Sequence, residues 1–313
     1  MARPERRAWQ VSPSPAALAW ASTAVGPGAR VRAVRRLGAG IAQATHALTI
    51  DDAAGRRHRL VLQRWLRPGW EADDPGFDPA KEAAVLDALA GGPVAIPRIV
   101  AVDPSGAASG APALLTERLP GRPPTDRLVR RPAVLDALGS TLAAIHRLGD
   151  ERATPAVRAV IPAYYPFGEL ADAVVPAASG RADLWQTALR IAAEPPPPGR
   201  PATLLHRDYH AGNTLWLDGR LTGVVDWSSA SWGPPAADLA HLRVELATAV
   251  SVEAAVRVRS AYAVAGGDLT DARHHTLRTV FDYLSDADPS RLGSTAVQRL
   301  DAFVGVVLEE RDP

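Results

Sequence analysis

Residues 204–238, LLHRDYHAGNTLWLDGRLTGVVDWSSASWGPPAAD, constrain this chain more than any other stretch. Residues 213–217 and 220–225 are rich in β-branched and large apolar side chains, and Asp218-Gly219 separates them. Both turn residues tolerate positive φ, so a tight two-residue hairpin is predicted. If Leu217 pairs with Arg220, Asn213 pairs with Val224, and Asn213 and Asp226 then lie together at the open end of the ribbon. Asp208 sits on the irregular segment entering that same end. Three hard oxygen donors converging on one loop suit Mg²⁺, which takes a few protein oxygens and leaves its other positions to water and phosphate.

Two other readings use the same residues. Polar residues around an Asp-Gly turn commonly serve the turn itself, and Asn213 or Asp226 then only caps a strand end. His206, Asp208 and His210 alternate; on one side of a strand they would be candidate ligands of a zinc hydrolase.

The run His206-Arg207-Asp208-Tyr209-His210-Ala211-Gly212-Asn213, followed by Asp226-Trp227 where protein kinases carry Asp-Phe-Gly, resembles the catalytic core of the protein-kinase-like fold. It is most similar to small-molecule kinases of the aminoglycoside phosphotransferase and choline kinase type. The resemblance implies that Asp208 takes or orients the proton of an attacking hydroxyl, with Arg207 backing it. Asn213 and Asp226 would hold Mg²⁺ on the phosphates of ATP or GTP. It also makes His210 structural, and Asp238 a brace of the catalytic loop.

Composition narrows the remaining choices. A net charge of +1 gives no electrostatic case for nucleic acid or an anionic membrane. Charged residues form 22% of the chain, which argues against wholesale disorder. Cysteine is absent, so disulfides and thiolate metal sites are excluded. No apolar run approaches a membrane span. Arg6-Arg7 followed by AALAWASTAV faintly suggests a secretory signal, but Pro13 and Pro15 precede that run, and a cytoplasmic location is expected. Among the 35 basic residues Lys81 is the only lysine, a bias that matches the Ala- and Pro-rich composition.

Ahead of the core stretch, a short helix is expected over 15–24, then strands over 31–37, 42–50 and 57–65. Gly38-Ala39-Gly40 joins the first pair; Gly38 and Gly40 are candidates for a backbone lid over phosphates. Val61 and Gln63 share one face of the third strand by period-2 alternation, and Arg64 faces the other way. In the resembled family the Gln63 position carries a Lys or Arg that clamps phosphates. A neutral amide binds less strongly there. A helix over 79–90 places Glu82 where the family has the acid paired with that cation. Strands over 95–103 and 111–119 follow, and Thr116 to Leu119, including Glu117, are expected to meet the adenine.

Beyond Leu119-Pro120-Gly121, helices are expected over 131–149, 181–193, from 236 onward, and over 251–265, 269–286 and 293–309. His146 reads as a packed side chain. Asp282, Asp286 and Asp288 would attract an amine-bearing acceptor, or simply form a solvated face. The fold class implied is α+β: a two-lobed kinase-like fold with an antiparallel five-stranded N-lobe (1–118) bearing one helix, and a mainly helical C-lobe (119–313). The expected protein is a monomer or homodimer acting on a nucleoside triphosphate and a small hydroxyl-bearing molecule. Aminoglycosides, other antibiotics, choline, homoserine and sugars all remain open. A catalytically weak or inactive nucleotide-binding relative is the alternative, motivated by Gln63.

Overall fold

The computed structural model describes residues 11–38, 43–70, 78–152, 154–166, 170, 173, 175–176, 178–196, 202–286 and 293–311. Its smaller lobe is an antiparallel five-stranded sheet in the order β1-β2-β3-β5-β4. These strands are β1 (Arg30–Arg36), β2 (Gln43–Asp51), β3 (Arg57–Trp65), β4 (Ile99–Asp103) and β5 (Ala113–Glu117). The β2–β3 turn closes because Asp52 Oδ1 accepts from the amides of Ala54 and Arg56 at 3.0 and 2.9 Å. The last two strands start later than expected. Pro97 and Pro112 lack the N–H that a ladder needs, so pairing begins only at Ile99 and Ala113.

Two helices, rather than the single one expected, flank this sheet. Helix α1 (Pro15–Val25), capped by Ser14 on the Ala17 amide, buries Ala17 and Ala21 against Leu48, Ile50, Leu60, Leu62, Ala113 and Leu115. Helix α2 (Pro79–Leu89) starts at Asp78, whose side chain accepts from Ala80 and Lys81 amides. It buries Val85, Leu86 and Leu89 in the main core, so the sheet is covered on both faces.

The larger lobe is built on α3 (Pro132–Arg152), α4 (Ala182–Ala193), α5 (Pro235–Ala249), α6 (Val252–Val264), α7 (Ala272–Asp286) and α8 (Ser294–Glu309). Along α3 the buried positions Val134, Leu135, Leu138, Leu142, Ile145 and Leu148 repeat at helical spacing. Gly139 lets α3 and α6 approach: a Cβ there would stand 2.6 Å from the Val258 carbonyl oxygen. None of the described helices is long and apolar enough to cross a membrane.

Short strands carry the site. Strand β6 (Thr203–Leu205) pairs with β9 (Ser231–Gly233), and β7 (Thr214–Leu217) pairs with β8 (Arg220–Val224) around Asp218-Gly219, whose φ values are 50° and 75°. One register differs from the sequence expectation. The ladder slips between Leu215 and Trp216, so Thr214, not Asn213, stands opposite Val224. The bulge puts one extra residue into β8, and the Asn213 carbonyl instead accepts the Val225 amide at 2.9 Å. Asn213 is thereby one residue nearer to Asp226.

Candidate active site

The loop that carries Asp208 is held from beneath by one buried carboxylate. Asp238, in the first turn of α5, accepts the His206 amide at 2.7 Å and the Arg207 amide at 2.6 Å. His146 on α3 reaches the same carboxylate at 3.2 Å, and its other nitrogen contacts the Tyr262 hydroxyl at 2.8 Å. Burial pushes the Asp238 carboxyl up, but its bonds to His146 and the backbone outweigh this and hold it below the usual range. His146 is therefore a packed core side chain, as expected, and it is also part of the brace.

His206 faces the core rather than the cleft. Its ring lies 4.5 Å from the Trp227 ring, and its Nε2 donates to the Val225 carbonyl at 3.0 Å, which ties the loop to β8. This removes the zinc reading of His206, Asp208 and His210, because the first of the three uses its nitrogen in the core. Among the described residues no group of three or more His, Cys, Asp or Glu is arranged to hold a metal.

Arg207 and Asp226 both adopt positive φ, 67° and 66°. For non-glycine residues such backbone is costly and is found where surrounding structure enforces it. Arg207 is buried; its guanidinium donates to the Tyr165 carbonyl at 3.1 Å and stacks 4.0 Å from the Tyr165 ring centre. It does not line the cleft.

Asp208 Oδ2 accepts from Asn213 Nδ2 at 2.9 Å, and the same nitrogen reaches the Asp208 carbonyl at 2.9 Å. Asn213 keeps Oδ1 as its remaining donor atom toward a ligand. On its other side Asp208 Oδ1 faces His241 Nε2 at 3.4 Å and His210 Nε2 at 3.7 Å. Burial raises the Asp208 carboxyl, yet the neighbouring histidines more than compensate and keep it low. Asp226 behaves oppositely: burial and the Asp208 charge push it up, only partly offset by the Ser228 hydroxyl at 2.8 Å.

On the opposite wall, Gln63 Nε2 donates to Gln43 Oε1 at 3.0 Å and to Glu82 Oε1 at 3.4 Å. Glu82 is buried, and burial together with the Asp226 charge lifts its carboxyl to about 8. The acid on α2 thus meets an amide from β3 where the resembled pattern has an ion pair. Arg64 points away, as alternation requires, with Nη2 on the Val11 carbonyl at 2.6 Å. The Lys81 ammonium donates to the Ala230 carbonyl at 3.2 Å.

A cavity of about 1070 Å³ opens between the lobes. Gly38, Val61, Gln63, Glu82, Glu117 and Leu119 line one wall, and Asp208, Asn213 and Asp226 line the other. Gly40 lies outside the described residues. Thus every described candidate except Arg207 reaches one space. A family model described as the phosphotransferase enzyme family matches residues 33–276. The chain belongs to that family.

Solved structures agree on the fold of this phosphotransferase. A Ralstonia eutropha protein provisionally assigned as an aminoglycoside phosphotransferase superposes with a TM-score of 0.63 at 15% identity, covering 93% of this chain and 98% of its own. A macrolide 2′-phosphotransferase from Brachybacterium faecium gives 0.58 at 20% identity, covering 94% and 99%. An aminoglycoside phosphotransferase solved with ADP and hygromycin B gives 0.57 at 19% identity, covering 90% and 96%. No curated protein sequence matches the chain.

Sequence reasoning missed part of the site. His241 and Glu245 on α5, and Thr279 and Tyr283 on α7, line the cavity beside Asp282, the acidic candidate expected there. Only helical phase was available to find the first two, since 238, 241 and 245 lie along one face of α5. Asp288 and the side chain of Asp286 lie outside the described residues.

Proposed function

We propose that this phosphotransferase moves the γ-phosphoryl group of ATP or GTP to a hydroxyl of a small molecule in the cytoplasm, with Asp208 as the base. The observation that carries the proposal is the single cavity that Asp208, Asn213 and Asp226 share with the β3 and β5 residues expected at the nucleotide. The boundary between the lobes is placed at 118/119. There Gly121, at φ 100°, passes so close to β7 that a Cβ would stand 2.8 Å from the Trp216 carbonyl oxygen.

The donor set fits a hard divalent cation. Asn213 has an amide oxygen to give, and a half-buried carboxyl raised like that of Asp226 is one whose ionised form a cation favours. Asn213 and Asp226 are assigned as the residues that hold Mg²⁺, which when bound neutralises charge on the phosphates. Asp208, kept ionised and oriented by its neighbours, receives the proton of the acceptor hydroxyl. Arg207 keeps the loop in shape. Gly38 and Gly40, Val61, Gln63, Glu82, Glu117 and Leu119 are assigned to the nucleotide.

The acceptor is assigned to the wall formed by α5 and α7. Glu245 on that wall, beside Asp282 with its Arg278 partner at 3.4 Å, favours a hydroxyl-rich molecule with a cationic group, aminoglycosides and other antibiotics among them. The test is a Mg²⁺-dependent screen of acceptors with ATP and with GTP. Transfer that Asp208→Asn abolishes supports the proposal; no transfer to any acceptor contradicts it.

A second reading, a kinase-like protein that binds nucleotide with little or no turnover, is favoured by the Gln63–Glu82 contact in place of an ion pair. Nucleotide binding in the absence of turnover over the same panel would select it.

A further inference from the structure

Asp208 is bracketed by three side chains, two of them close to it in sequence and one from a distant helix. Asn213 holds Oδ2 at 2.9 Å. His210 Nδ1 accepts the Gly212 amide at 3.0 Å, so in its neutral form the ring carries its proton on Nε2, facing Oδ1 from 3.7 Å. His241 Nε2 is nearer, at 3.4 Å, and comes from a different element, one turn beyond the brace residue Asp238 on α5. The His210 and His241 rings lie 6.1 Å apart, and both face that oxygen.

His241 also lines the cavity, as does Glu245 one turn further along α5. Its side chain is 24% exposed and that of Asp208 38%, so both reach the cavity, His241 standing between the base and the acceptor wall. The helix that fixes the catalytic loop through Asp238 thus also presents an imidazole N–H to the carboxylate on that loop.

We propose that His241 is a positioning residue for Asp208: its Nε2–H fixes Oδ1 in the orientation that meets the acceptor hydroxyl. This rests on the phosphotransfer reading of the site. The 3.4 Å separation is long for a hydrogen bond, and such contacts commonly tighten once the reacting complex forms. A carboxylate held at both oxygens loses less orientational freedom when the acceptor binds, which is where a positioned base gains rate. His241 takes no proton in this scheme; the acceptor proton goes to Asp208.

The test uses the full chain and Mg·ATP, with water as the nucleophile and phosphate release as the readout, on His241→Ala, His241→Leu and His241→Gln. Glutamine places an N–H near the site of Nε2. The expected result is that Ala and Leu lower kcat about ten- to hundredfold, with KM for ATP unchanged and the thermal midpoint preserved, while Gln recovers most of the rate. Wild-type kcat in the Ala variant, or a Gln variant as slow as Ala, overturns the proposal. So does a loss confined to KM.

A second readout is independent of turnover. Burial lowers the His241 imidazole, but Asp208, with Glu245 and Asp238 beyond it, raises it above the usual histidine value. Followed by histidine NMR, Asp208→Asn is expected to move the His241 midpoint down. An unmoved midpoint overturns the proposal even where hydrolysis is too slow to measure. If hydrolysis persists in Asp208→Asn while the His241 midpoint moves, the contact stands and the assignment of Asp208 as base fails.

Discussion

Gln63 carries the sharpest residue-scale question. Its amide joins Gln43 and Glu82, where a cation would have formed a charge-assisted bond about twice as strong. Gln63→Lys is therefore expected to pair with Glu82 and the nucleotide phosphates. We expect about a tenfold lower KM for ATP, read in a steady-state assay; an unchanged or higher KM would show that Gln63 is not at the phosphates. Alternation along β3 is enough by itself to turn Gln63 inward and Arg64 outward, and both side chains lie that way. His241 was not legible, because its importance lies in a contact with Asp208, 33 positions away in sequence. No local pattern announces such a contact.

At the scale of elements, the brace and the hairpin decide where the loop sits. Asp238 is fully buried and satisfies the two amides of His206 and Arg207. Removing it in Asp238→Ala leaves those two amides and the Nε2 of His146 without their partner, at a cost of about 3–5 kcal/mol. A chemical denaturation curve is expected to show that loss, whereas a change below about 1 kcal/mol would mean the brace is dispensable. The Asp-Gly turn of the hairpin was readable because few residues accept its φ values. The bulge in β8 was not, since nothing in LTGVV fixes which residue slips.

Helix α7 adds a pH dependence. His275 is buried, and burial with the neighbouring His274 lowers its imidazole to about 4. The unfolded chain, with its histidine near 6.5, then binds the proton more readily than the folded one. Its contribution is intact above about pH 6.5 and is lost as the pH falls toward 4, by up to about 3 kcal/mol in all. His275→Gln is expected to flatten the stability curve between those values, and an identical slope in the variant would contradict this.

Across the whole molecule, the two-lobed architecture was legible because short runs bounded by turn residues mark β1 to β3, whereas helical spacing marks α3. What escaped was how the elements meet. The second helix on the sheet, α1, reads as a helix from its residues, but its place on the outer face depends on contacts with three strands that sequence does not pair. On α7 Asp282 was a candidate from sequence, but Thr279 and Tyr283 beside it escaped for the same reason. Everything proposed for the shared cavity depends on Asp208 acting as the base. The decisive experiment follows labelled γ-phosphate from Mg·ATP in wild type and in Asp208→Asn, with nucleotide affinity measured in parallel. Asp208→Asn is expected to lose about 10²- to 10⁴-fold in rate while keeping its affinity. Equal rates in the two proteins would mean that Asp208 is not the base.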